Sequence, residues 1–559
     1  MRRLSLVLVA GVVAVLAMAG CSGGGRSAAS LGAAPGAGVS DLNPRPRDQV
    51  RDGGELRWPL DTMPANFNAH QFDGATQQTH AVVDALLPRL FTGAADGGLT
   101  RNNDYLTSAD ASATDPGTVT YWINPEAVWS DGRPITWRDF EAQWKALSGA
   151  DPAYQVASTA GYDQITSVRP GTDNHQVVIT FNGAYPEWRG LFSPLYPAST
   201  NTDPSVFNSG WVNRLPTTAG PFELDSLDPT GGTITLSRSP RWWGAPAKLD
   251  QIRYTVVDPA ALPGALTEDK LDFCEIGSSV DLLNRAESAP GMTIRQSPDR
   301  RYSQVTFNGE PGALLADVAL RQAIAKGIDR RAIAQRMVGQ IVPNAATVDN
   351  HVYPVGSRDY RDNSAPVAFN AVAAGQELDR LGWVRQSPSA MRSRAGQLLR
   401  LRLLEGTPDP VTGQIDRAVQ DQLGQLGVQV VPQPEPLPQA GEAYRRGDFD
   451  LATVDGRSSA APLTAGQASY ATPGPDGIRR NYGRITDPNV DSLLREGLAE
   501  PREHKRAEIG NRIDRLLWQD VYTVPLYPST GAYAVRANLA NFGAPGYADV
   551  DYIDAGYLK

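Results

Sequence analysis

The chain has 559 residues, 41% hydrophobic and 20% charged, with a formal charge of −9. That length exceeds one ordinary hydrophobic core, so two or three structural domains are expected in a globular protein. The acidic balance, with no Lys/Arg cluster to offset it, excludes nucleic acid as a natural partner.

Arg2 and Arg3 precede an apolar and small-residue run that ends in Met18-Ala19-Gly20-Cys21. A basic start and an apolar stretch too short for a stable span read as a secretory leader over residues 1–20. Cys21 and Cys274 are the only cysteines, so a chain that uses Cys21 elsewhere has one thiol and no internal disulfide. Cys274 lies in a strand-like run and is expected in the core. Residues 21–52 are rich in Gly, Ala, Ser and Pro and read as a flexible tether, with the basic stretch Asn43-Pro44-Arg45-Pro46-Arg47 as a solvated linker.

The body starts at Gly53-Gly54, followed by an alternating strand to Trp58 and a loop that carries Met63 and Phe67. A helix is expected over 79–90 and a strand over 118–123. The stretch Trp129-Ser130-Asp131-Gly132 supplies a turn, Thr136 an N-cap, and Phe140, Trp144 and Leu147 recur at helical spacing; Trp129 is read as core. Strands over 222–224 and 233–237 flank an Asp-Pro-Thr-Gly-Gly turn, a hairpin that follows Thr217 and Thr218 and precedes Trp242-Trp243. A strand ending in Phe307-Asn308 leads into a helix whose Val318, Ile324 and Ile328 share one face, with Arg321 read as a structural ion-pair former as readily as a functional group. Further on, a helix over 370–383 is stopped by Gly382, and strands over 399–404 and 428–431 bracket a helix over 415–426, an order suited to a partly parallel sheet. A helix over 506–517 and a strand over 524–528 close the series.

No nucleophile elbow, zinc-binding helix, Ser-x-x-Lys pair or phosphate loop is present, so an enzyme is not expected. The five histidines are scattered, and His70, the one candidate for a metal site, reads as a surface residue. Neither a cofactor nor a metal is expected.

The segments Ala219-Gly220-Pro221-Phe222, Ser239-Pro240-Arg241-Trp242-Trp243-Gly244, Leu249-Asp250-Gln251-Ile252 and Lys270-Leu271-Asp272, with Trp129-Ser130-Asp131-Gly132 and Val524-Pro525-Leu526-Tyr527, resemble the family 5 extracellular solute-binding proteins. These are the oligopeptide-, dipeptide- and nickel-binding components of ABC importers. Ala19-Gly20-Cys21 is similar to a bacterial lipobox, with Met18 where Leu is usual. The resemblance implies an α/β fold of the large type II periplasmic-binding-protein form, two lobes joined by two hinge strands. Residues 53–303 plus 525–559 would form the first lobe, with an inserted subdomain at about 70–210, and residues 304–524 the second. It implies a monomer anchored by lipid at Cys21 on the outer face of the cytoplasmic membrane, capturing oligopeptides for an ABC permease. The cleft residues it points to are Met63, Phe67, Thr217, Thr218, Tyr302, Asp455, Arg457 and Tyr482.

After Phe449-Asp450-Leu451-Ala452 the chain departs from the family's pattern, which carries a Trp and then the Asp that anchors a peptide amino terminus. Here Thr453-Val454-Asp455-Gly456-Arg457 follows. Either Asp455 anchors the ligand by another route, or the ligand is not a free peptide; Arg457 favours a carboxylate or phosphate as readily. The alternative is an actinobacterial lipoprotein of the LpqW type, which regulates envelope glycolipid synthesis instead of transport.

Overall fold

The computed structural model describes residues 39–112, 115, 117–407, 409–474 and 479–559. Cys21, the leader and the tether up to residue 38 lie outside them. Among the described residues, no helix is long and apolar enough to cross a membrane.

The fold is mixed α/β and is built on two groups of sheets. In the first group, a four-stranded sheet runs in the order Glu55–Leu60, Gln251–Val256, Thr233–Arg238, Phe222–Asp228, with the expected hairpin forming its edge. The hairpin turn ends at Gly232, whose φ of +66° suits a residue without Cβ. A second, antiparallel four-stranded sheet lies within residues 106–181. The helix Trp137–Leu147 packs on it, and Asp139 Oδ2 accepts the Thr136 N–H at its first turn. Edge-on aromatic pairs fill the space beneath, Tyr121 meeting Trp188 at 5.5 Å and Phe91 meeting Trp188 at the same distance. Trp129 is buried, as expected of a core residue.

The second group is one five-stranded sheet in the order Gln429–Pro436, Arg400–Thr407, Leu451–Arg457, Arg301–Phe307, Thr523–Pro528. The first two strands are parallel, joined through the helix Pro410–Gln425, as the βαβ pattern requires. The chain crosses between the groups twice. Met292–Gln296 and Ala532–Arg536 pair in the first group, while Arg301–Phe307 and Thr523–Pro528 pair in the second. The crossings therefore fall at 297–300 and 529–531, a few residues outside the boundaries expected from sequence, because both strands stay paired to their ends. Ser297 N donates to Gly531 O where the two segments pass. A Cβ at Gly531 would sit 1.8 Å from Ser297 O, and its φ is +58°, so only glycine fits this crossing.

Residues 39–52 correct the tether reading. Asp41 bridges to Ala544 and pairs with Arg295 at 2.8 Å, Arg47 is ion-paired with Asp554, and Val50 is fully buried beside Leu558. Their partners lie hundreds of residues away, around 246–295 and 539–558, so local composition gives no hint of the packing. The helix Val318–Ala325 buries Leu320, Ala323 and Ile324, whereas Val318 is exposed at its first position. Arg321 is buried and donates to the carbonyls of Leu315, Ala316 and Asp520, closing helix ends instead of forming an ion pair. Cys274 is buried, and burial pushes its thiol up to about 12, the state of an inert core residue.

Candidate functional site

Two adjoining cavities lie where the groups of sheets face each other. The larger, about 730 Å³, has walls that include Trp58, Asp84, Arg89, Arg300, Asp549 and Tyr552. The smaller, about 210 Å³, opens on the second sheet and is walled by Tyr302, Tyr444, Asp455, Tyr470 and Tyr482, among others. Arg457 belongs to both walls.

The second sheet places these groups by register. Tyr302 pairs with Gly456 across the strands, and its ring lies on that glycine, 2.4 Å from where a Cβ would be. A side chain at 456 would push the ring into the cavity. Burial pushes the Tyr302 phenol up to about 12, so it stays protonated and can donate. Asp455 and Arg457 are two residues apart and therefore share one face of the strand Leu451–Arg457. Both are exposed. Ser303 Oγ lies 3.4 Å from Asp455 Oδ1, and the close cavity walls push the Asp455 carboxyl up despite the field of Arg301. The Tyr444 and Tyr482 rings meet at 4.6 Å, and Tyr444 is fixed by a 3.0 Å hydrogen bond between its hydroxyl and Thr306 Oγ1.

The structure thus brings Tyr302, Asp455, Arg457 and Tyr482 to one cavity. It does not bring Met63, Phe67, Thr217 or Thr218 to either. Phe67 is fully buried, with its carbonyl accepting from the Tyr196 hydroxyl at 2.7 Å. Thr218 is locked to Ser130 through backbone and hydroxyl bonds, Thr217 is buried next to it, and Met63 packs on the core. His70 is packed rather than at the surface. Its Nε2 lies 2.8 Å from Pro194 O, and burial pushes the ring down to about 4, so it is neutral. Among the described residues no group of three or more His, Cys, Asp or Glu could hold a metal ion.

Sequence reasoning missed the larger cavity. Its charges come mostly from loops: Arg89 pairs with Asp84 and, at 2.8 Å, with Asp549, while Arg301 pairs with Asp299 and, at 2.7 Å, with Glu275. Arg300 had one available signal, an Arg doublet directly before the Tyr302 strand.

A contact also spans the two groups beside the cavities. Glu187, buried on the first, accepts the Leu463 N–H at 3.0 Å and the Thr464 N–H and hydroxyl at 2.7 and 2.6 Å, capping the start of the helix Pro462–Tyr470. The Tyr185 hydroxyl lies 2.6 Å from Thr464 Oγ1, and Arg479 sits 3.4 Å from Asp163.

The sequence model for bacterial extracellular solute-binding proteins, family 5, matches residues 103–476. The oligopeptide-binding protein OppA of Mycobacterium tuberculosis is 39% identical over 571 residues, covering 100% of this chain and 94% of the relative. A probable monoacyl phosphatidylinositol tetramannoside-binding protein, LpqW, of the same organism is 29% identical over 373 residues, 64% of this chain and 57% of that protein. Among solved structures, the oligopeptide-binding protein AppA of Bacillus subtilis, in complex with a nonapeptide, superposes with a TM-score of 0.79 at 18% identity, over 91% of this chain and 100% of AppA. With the family's pattern on two thirds of its length and a relative aligned from end to end, the chain belongs to the bacterial extracellular solute-binding proteins of family 5.

Proposed function

We propose that this chain is a lipid-anchored binding protein that captures oligopeptides between its two lobes and hands them to an ABC permease. The observation that carries the reading is the pair of cavities meeting at Arg457, on strands whose register sets Tyr302 and Asp455 beside it. End-to-end similarity to a protein named for oligopeptide binding supports the ligand class. In this reading Asp455 receives the ligand's amino terminus, Tyr302 and Tyr482 wall its backbone, and the chain works as a monomer held at the outer face of the cytoplasmic membrane through lipid on Cys21.

Asp455→Ala is expected to weaken peptide affinity more than about tenfold, since a hydrogen bond to a charged group contributes about 1.5–3 kcal/mol. Isothermal titration checks this, and unchanged affinity removes Asp455 from the site. The wider test is native mass spectrometry of the soluble protein, followed by thermal shifts against peptides and mannosylated lipid headgroups. A ligand at a hundred times its dissociation constant stabilises by about 2.7 kcal/mol. Bound or stabilising peptide upholds the importer reading. Silence to peptides with a response to the headgroups moves the chain to the LpqW-like role.

Capture proceeds by hinge closure about the 297–300 and 529–531 crossings, with Glu187 as the latch. Removing its carboxylate leaves two helix-end N–H groups and a hydroxyl without their acceptor, a cost of about 1–3 kcal/mol that falls on the closed state alone. Glu187→Ala is therefore expected to weaken ligand affinity about tenfold and to enlarge the ligand-free molecule in small-angle scattering, with its melting temperature nearly unchanged. Equal affinity and equal radius would show that the contact does not govern closure.

A further inference from the structure

We propose that Arg300 and Arg457 together form a receptor for one anionic group of the solute, a carboxylate or a phosphate, at the junction of the two cavities. The inference rests on the reading that the solute occupies this cleft, and adds what one end of it must carry.

The two arginines sit at the same end of neighbouring strands. Arg457 pairs with Arg301, and Ser458 N donates to Arg300 O at 2.8 Å. Of the other guanidinium groups on the larger cavity, Arg47 is neutralised by Asp554, Arg89 by Asp84 and Asp549, and Arg301 by Asp299 and Glu275, while Arg101 is held by the Asn103 side-chain carbonyl. Arg300 and Arg457 are different. Arg300 donates through Nη2 to Tyr547 O at 2.9 Å and lies 5.0 Å over the Tyr547 ring, yet no carboxylate pairs with it and its Nη1 is buried without a hydrogen-bond partner. Arg457 forms no ion pair or side-chain hydrogen bond among the described residues and is exposed on the walls of both cavities.

Two like charges held together in a partly desolvated place are unfavourable, because each loses water and repels the other. The repulsion is felt: burial and the charge of Arg457 both push the Arg300 guanidinium down. The carboxylates whose charge reaches the pair, Asp84, Asp299 and Asp549, are engaged by Arg89 and Arg301, so they are not free to relieve it. An arriving anion relieves it. Guanidinium forks match carboxylate and phosphate oxygens, and the contact is strongest where water is excluded. Tyr547, which holds Arg300 by ring and carbonyl, acts as the positioning residue.

The test compares free-acid and C-amidated forms of one random library of three- to eight-residue peptides, together with inorganic phosphate, on the wild-type chain and on Arg457→Gln and Arg300→Gln. The expected result is a preference of the wild type for the free acid by about tenfold or more. That preference should be lost in Arg457→Gln and reduced in Arg300→Gln, with melting temperatures of the ligand-free proteins retained. Binding of phosphate but of no peptide, abolished in Arg457→Gln, would uphold the anion receptor while ending the oligopeptide reading. Equal binding of acid and amide, a preference that survives both substitutions, or silence to peptides and phosphate alike would overturn the proposal.

Discussion

Replacing Asp514 by alanine is expected to destabilise the chain by about 3–5 kcal/mol, the cost of breaking a sealed pair by removing one partner. Asp514 and His351 are both fully buried in the second lobe. Asp514 Oδ1 accepts from the His351 backbone N–H and meets its ring Nδ1, each at 2.7 Å, and Oδ2 accepts from Asn363 Nδ2 at 2.7 Å. Three groups on a loop distant in sequence thus converge on one carboxylate. Alanine leaves the buried His351 N–H and ring without their acceptor, each buried orphan costing about 1–3 kcal/mol, while Asn363 Nδ2 keeps its 3.1 Å bond to Asn511 Oδ1. The loss extends to the smaller cavity, since the His351 ring packs edge-on against Tyr470 at 6.0 Å. Urea unfolding of Asp514→Ala beside Asp514→Asn checks the argument. Asparagine keeps an acceptor for the His351 N–H and should recover part of the loss. A deficit below about 1 kcal/mol in the alanine variant would mean that the pair is not sealed from solvent.

The contrast between what the sequence disclosed and what it hid follows from the range of the interactions. Alternation, turns and caps act over a few residues, so the 222–238 hairpin, the Thr118–Ile123 strand and the helix starting after Thr136 were legible. Tyr302, Asp455, Arg457 and Tyr482 share one cavity wall because the first three lie on two paired strands and Tyr482 follows them in the same lobe. Phe67, Thr217 and Thr218 lie in loops, where polarity and motif position say nothing of which way a side chain turns; the structure turns them inward. The packing of residues 39–52 on the C-terminus, the Arg300 environment and the Glu187 cap join residues hundreds apart. Composition cannot report such contacts. Val318 is exposed although Ile324 on the same helix is buried, because the first residue of a helix precedes the turn that would fold its side chain against the core.

Asp416→Asn is expected to remove a large part of the pH dependence of stability and to strengthen the chain above neutrality. Asp416, on the helix Pro410–Gln425, accepts the Thr453 hydroxyl at 2.5 Å through Oδ1, while its Oδ2 is buried without a hydrogen-bond partner. Burial, reinforced by Glu405 and Asp409 and only partly opposed by Thr453 and Arg417, pushes its carboxyl up to about 7. An unfolded aspartate titrates near 3.9, about three units lower, and each unit corresponds to about 1.4 kcal/mol. Because the folded value is the higher one, the folded state holds the proton more tightly. The contribution of this group is therefore fully present below about pH 4, falls steadily up to about pH 7, and is lost above it, a total of about 4 kcal/mol. Roughly 3 kcal/mol of that falls between pH 5 and pH 8 by the same slope. Asparagine keeps the acceptor for Thr453 and cannot ionise, so the slope over this range should flatten and the variant should exceed the wild type at pH 8. Parallel unfolding profiles for the two proteins from pH 5 to pH 8 would show that the Asp416 carboxyl is solvated in the folded chain.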